Sequence, residues 1–88
     1  MAIETARLSL TSAGYTAVGT GVTTLALSEF GVGVVRVVVQ ASGTTAPLVS
    51  ATNYAEFDGS FSFGPHTEAV DIYMMYPSGQ ATVGLVRA

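Results

Sequence analysis

The sequence contains no cysteine, no lysine and no tryptophan, and only 10% of its 88 residues are charged. Without Cys there is neither a disulfide framework nor a Cys-ligated zinc module. The only cationic side chains besides a single His are Arg7, Arg36 and Arg87. Three cations make no stripe able to track a phosphate backbone, because that affinity accumulates phosphate by phosphate. A nucleic-acid partner is therefore not expected. The six carboxylates are scattered and leave a net charge of -3, so there is no acidic tail. The longest uncharged run, Leu8 to Ser28, has the length of a membrane span. Eleven of its 21 residues are Ser, Thr or Gly, too polar for hydrocarbon, so no membrane partner is expected. The first ten residues, MAIETARLSL, carry Glu4 and lack the basic-then-apolar order of a secretory leader. The chain reads as one made in a cytoplasm.

What the chain does have is strand formers: twelve Val, eleven Thr, four Tyr and four Phe. Residues 1–6 read as an N-terminal arm and residues 7–88 as a single β domain. Along 7–12, Leu8 and Leu10 alternate with Arg7, Ser9 and Thr11, the period-two pattern of a half-buried strand. A short strand is expected over 15–18, a turn at Gly19 and Gly21, and a further strand over 22–28 with Leu25 and Leu27 inward. Six of the eight residues 32–39 are Val, a poor helix and a good strand. That strand, 32–41, carries Val34, Arg36 and Val38 on one face and Val35, Val37 and Val39 on the other. Residues 42–56, with Pro47, read as a long loop. Phe57 to Phe63 alternates as one strand with a bulge at Gly59. Val70 to Tyr76 and Ala81 to Arg87 read as a hairpin across the turn Tyr76-Pro77-Ser78-Gly79. Because adjacent strand residues point oppositely, one of Met74 and Met75 must leave the core side. Six or seven strands with no long helical period predict an all-β fold: a small antiparallel β-sandwich or a partly closed barrel.

Residues that could carry chemistry are few. His66 follows Gly64-Pro65 in a turn, with no Gly-x-Ser-x-Gly elbow and no evident triad partner. Glu56 and Asp58 share a strand face but supply too few oxygens for Ca²⁺, which takes ~6–8. Asp71 and Glu68 flank a strand start and read as solvated. Gly19-Thr20-Gly21 and Gly31-Val32-Gly33 open like dinucleotide fingerprints, but neither is completed nor followed by a helix. Tyr15, Tyr54, Tyr73 and Tyr76 suit packing or an interface. No catalytic residue, cofactor or metal is expected. The low charge instead points to assembly, since a free monomer keeps ~25–35% of its surface charged. The candidate contact residues are Ile3, Val34, Arg36, Val38, Pro47, Tyr54, Tyr73 and Met75.

Several stretches occur together in a familiar order: Tyr15-Thr16-Ala17-Val18, the Val-rich strand, Ala46-Pro47 in a Thr-rich loop, Asp71-Ile72-Tyr73, and Ser78-Gly79-Gln80-Ala81-Thr82-Val83. In this the chain resembles small tailed-bacteriophage virion structural proteins of the capsid decoration (cement) or head-fibre type. Met74 and Met75 stand where such proteins often place a basic residue. The resemblance implies a non-enzymatic role on the outer surface of a capsid or tail. It also implies the major capsid protein or other virion proteins as partners, and a homotrimer. A tail or fibre component, or a receptor-binding module using the 42–56 loop and its Tyr54, is the alternative. A small hydrolase built on His66 is the third reading.

Overall fold

The fold is given by a computed structural model describing residues 3–29, 34–58 and 60–88. Eight strands follow one another: β1 (Glu4–Thr11), β2 (Thr16–Val22), β3 (Leu25–Glu29), β4 (Val35–Ala41), β5 (Ala55–Phe57), β6 (Phe61–Phe63), β7 (Val70–Met75) and β8 (Gln80–Arg87). They form two four-stranded antiparallel sheets, ordered β1-β8-β3-β6 (sheet A) and β2-β7-β4-β5 (sheet B). The pairs 1·8 and 3·6 lie in sheet A, and 2·7 and 4·5 in sheet B. This is the order obtained by rolling one long hairpin, folded at β4–β5, into two layers: jelly-roll connectivity. The expected β-sandwich is thus present, with eight strands rather than six or seven. No strand pairing closes the two sheets into a barrel among the described residues.

The core is one apolar layer between the sheets. Sheet A contributes Leu10, Leu25, Leu27, Val83 and Leu85, and sheet B contributes Val18, Val35, Val37, Ile72 and Met74. Phe57, Phe61 and Phe63 pack half-buried against its rim. The alternation seen in the sequence therefore places Leu8, Leu10, Leu25 and Leu27 on the inward side as expected. The molecule is a slab measuring 33 × 25 × 16 Å between Cα extremes, as two sheets packed ~10 Å apart require.

Four sequence expectations change. The arm expected over 1–6 is in part strand, because β1 begins at Glu4. Gly19 and Gly21 do not turn the chain. They lie inside β2, whose pairing with β7 shifts register twice, between Ala17 and Gly19 and between Gly19 and Val22. Glycine there serves a bulged edge strand rather than a reversal. The single strand expected over 57–63 is two, β5 in sheet B and β6 in sheet A. Phe57 and Phe61 still meet, with ring centroids 4.8 Å apart. The bulge expected at Gly59 falls outside the described residues, as do positions 32 and 33 of the Val-rich strand. Finally, β7 and β8 are not a hairpin, since they belong to different sheets. The tight turn forms, with the Gly79 N–H donating to the Tyr76 carbonyl at 3.3 Å. It crosses between layers, held by the Tyr76 N–H donating to Thr11 O at 3.2 Å. A hairpin reading cannot distinguish a turn within one sheet from a turn between two.

At the opposite end the β2–β3 turn is a junction. Thr23 O accepts the His66 N–H at 2.8 Å, and the Thr23 N–H donates to Ala88 O at 2.8 Å. Gly64 lies against this turn with φ +89°, and a Cβ built there would run into the Thr23 carbonyl oxygen. Gly64→Ala is therefore expected to lower stability by more than about 1 kcal/mol, read as a shift of the urea midpoint with unchanged slope.

Candidate functional site

The two outer faces of the sandwich differ. On sheet B, outward positions include Arg36, Val38 and Gln40 of β4 and Asp71, Tyr73 and Met75 of β7, paired as Arg36↔Met75, Val38↔Tyr73 and Gln40↔Asp71. Val38 and Met75 are nevertheless only 3% and 2% exposed, and neither belongs to the inter-sheet core. The loop 42–54 folds back over this face. Gln40 donates from Nε2 to the carbonyls of Thr44 (3.3 Å) and Thr45 (2.8 Å). The Tyr54 ring stacks on the Arg36 guanidinium, 4.4 Å from its centroid, a cation–π contact. Glu56, directly opposite Arg36 on β5, completes the arrangement with an ion pair of 3.6 Å. Tyr15 joins this second, polar-edged cluster. Its hydroxyl and Arg36 Nε are both buried without a hydrogen bond. Burial pushes the Tyr15 phenol up in pKa, against a smaller lowering by Arg36 and a small raising by Tyr54.

Asp71 anchors the same face. Its carboxylate accepts the Gly21 N–H at 2.9 Å and the Gly43 N–H at 3.0 Å. Both glycines have positive φ, +63° and +91°, so each presents its amide from a backbone conformation that side-chain-bearing residues rarely adopt. The side chain expected to be solvated is thus buried and ties the end of β2 to the start of the β4–β5 loop. These two amides, with the Ser42 hydroxyl, hold its pKa below the ordinary carboxylate value, and burial opposes them. Arg87 makes a comparable strap between sheets, donating to Glu4 Oε1 and to the Val18 carbonyl, both at 2.7 Å.

Among the described residues, no segment covers the outer face of sheet A. Its outward side chains are Thr5, Arg7 and Ser9 of β1, Thr82 and Val86 of β8, Ala26 of β3 and Ser62 of β6. They stand in aligned rows, such as Thr5–Val86–Ala26–Ser62. Arg7 is the one charge among these described side chains, and Glu29 of β3 pairs with Gly84 in the same row. A depression of about 500 Å³ opens where Gly84 supplies no side chain, walled by Thr5, Arg7, Ala26 and Val86. A smaller one of about 370 Å³ lies beside Glu4, Thr20 and Arg87. Among the described residues no group of three His, Cys, Asp or Glu side chains could hold a metal ion. His66 is exposed, its ring engaged with the backbone of Glu68.

The eight candidate contact residues scatter. Ile3 is 77% exposed ahead of β1, and Val34 is exposed ahead of β4. Arg36, Val38, Tyr73 and Met75 come together on the outer side of sheet B, Tyr54 reaches them through its contact with Arg36, and Pro47 is half-buried in the loop 42–54. The bare face and its Gly84 depression were not among the sequence candidates. Their signal was the polar alternation Arg7, Ser9, Thr11, which marks an outward face without saying that nothing covers it. No protein family, curated protein or solved structure matches the chain.

Two outcomes test this polar architecture. Because Asp71 has a lower pKa folded than unfolded, the unfolded chain takes up its proton first as pH falls. Its contribution is full above the ordinary carboxylate pKa and disappears as pH drops through the folded value. Urea midpoints between pH 7 and pH 2 are expected to fall less steeply for Asp71→Asn than for the native chain, the variant being less stable at pH 7. Tyr15→Phe removes a buried hydroxyl with no partner and is expected to raise stability by up to about 1 kcal/mol, measured by thermal or urea unfolding.

Proposed function

We propose that the chain is a non-enzymatic virion structural protein of a tailed bacteriophage that binds the outer capsid shell as a decoration or cement protein. The observation that carries this reading is the pairing of a filled interior with an outer face on sheet A that, among the described side chains, is uncovered and carries Arg7 as its one charge. Apolar side chains occupy the space between the sheets, and the two depressions described above open to the surface. Jelly-roll sandwiches serve viral capsids as well as lectins and cupins, and connectivity alone does not choose among them. The choice comes from the sequence resemblance together with this surface. The action is mechanical: each copy covers apolar shell surface and is covered in return. At ~25 cal/mol per Å², an apolar contact of ~200 Å² contributes ~5 kcal/mol per copy before ordering costs, and a shell repeats it many times.

A tail or fibre component, or a receptor-binding module, is the second reading. It is favoured by Leu48 and Val49, 74% and 52% exposed in the loop 42–54. Deleting the gene from the genome that encodes the chain separates the two. Under the cement reading, particles assemble and adsorb normally but release DNA at a lower temperature, and purified chain added back restores resistance. Loss of adsorption with equally heat-resistant shells transfers the role to the tail or fibre. Virions that never contain the chain remove both.

A further inference from the structure

Four strand edges bound the two sheets, and three of them are protected. β2 is bulged by two register shifts, and β5 and β6 are three residues each. Short strands and bulges are the usual means of keeping an edge from pairing. β1 has neither. It runs eight residues in unbroken register with β8, contains no Pro or Lys, and carries no partner on its other side among the described residues. Its inward side chains Ala6 and Leu8 are packed on the core yet remain half-buried, because no described strand lies beyond them.

We propose that β1 pairs antiparallel with β1 of a second copy about a two-fold axis at Leu8, joining the two A sheets into one of eight strands. The register follows from side-chain parity. Residues directly opposite each other in an antiparallel pair point to the same face, so outward Thr5, Arg7, Ser9 and Thr11 must face outward residues. That restricts the axis to a residue position. An axis at Arg7 sets Arg7 against Arg7, and like charges directly opposite are unfavourable. Axes at Ala6 or Ser9 shorten the overlap. An axis at Leu8 gives the longest pairing free of that clash: Leu8 on Leu8 and Ala6 on Leu10 inward, Arg7 beside Ser9 and Thr5 beside Thr11 outward. The inward row completes the burial of Ala6 and Leu8 and makes the two cores continuous. Such an interface is isologous, and replaces the three-fold arrangement that the resemblance implies. It is a property of the purified chain, independent of which particle the chain serves.

The register makes a charge test specific. Ser9 is exposed and faces Thr82 within its own sheet, so either charge is tolerated in the monomer. Across the axis Ser9 meets the other copy's Arg7 twice. Ser9→Glu is expected to tighten the dimer on the order of tenfold and Ser9→Arg to weaken it by a similar factor. Arg7→Glu combined with Ser9→Arg is expected to restore it. Dilution series by light scattering and sedimentation read the constants, with thermal unfolding confirming that each variant folds. A native chain and Ser9→Glu variant that stay monomeric at the highest soluble concentration overturn the proposal. So does a dimer or trimer whose stability ignores both Ser9 substitutions.

Discussion

Everything in this molecule depends on one shared layer of aliphatic side chains. With no helix among the described residues and no disulfide, Leu10, Leu25, Leu27, Val83, Val35, Ile72 and Met74 must serve both sheets at once. Neither sheet is stable without the other, since a four-stranded sheet with one wet face and one apolar face has nowhere else to bury the latter. A chain of this size buries a smaller fraction of its surface than a larger domain does. The polar straps at the open end matter for that reason. Asp71 ties Gly21 of β2 and Gly43 after β4 together within sheet B, and Arg87 spans from β1 to β2 and so pins one layer to the other.

The asymmetry between the faces follows from the same economy. Sheet B uses its own long loop as a third layer, with Tyr54 on Arg36 and the backbone of Thr44 and Thr45 on Gln40. Among the described residues, sheet A has no comparable loop over it. Among the described side chains its outer side is built mainly of Thr, Ser, Ala, Gly and Val, with Arg7 as the charge a partner would have to pair.

Much of the sandwich was legible in the residues, and the errors have a common cause. Period-two alternation identified inward Leu8, Leu10, Leu25 and Leu27, because that signal is local. The Val-rich strand was recognisable because β-branched residues crowd a helix. The strands at 57–63 and at 70–87 were misjoined because turn chemistry reports a reversal of direction, not which layer the chain enters next. The site was read less well. Val38 and Met75 are apolar on an outward face, which in sequence is indistinguishable from an exposed contact, yet both are buried. Asp71 sits between Val70 and Ile72, and its flanking pattern resembles a solvated outward residue. Only the distant Gly21 and Gly43 make it a buried anchor. The importance of β1 as an edge depends on the order of strands in the sheet, which no local pattern encodes.

The rolled topology also has a consequence in time. β8 is the last strand in the chain and lies between β1 and β3, near the middle of sheet A. During synthesis the ribosome therefore releases β1 and β3 with no neighbour to pair with each other through, and sheet A has no centre until β8 emerges. Non-local pairings of this kind are intrinsically slow and leave strands exposed while they wait. For a chain with so few charges to keep nascent copies apart, the interval before β8 appears is when β1 edges of neighbouring polysomal chains are most open to one another.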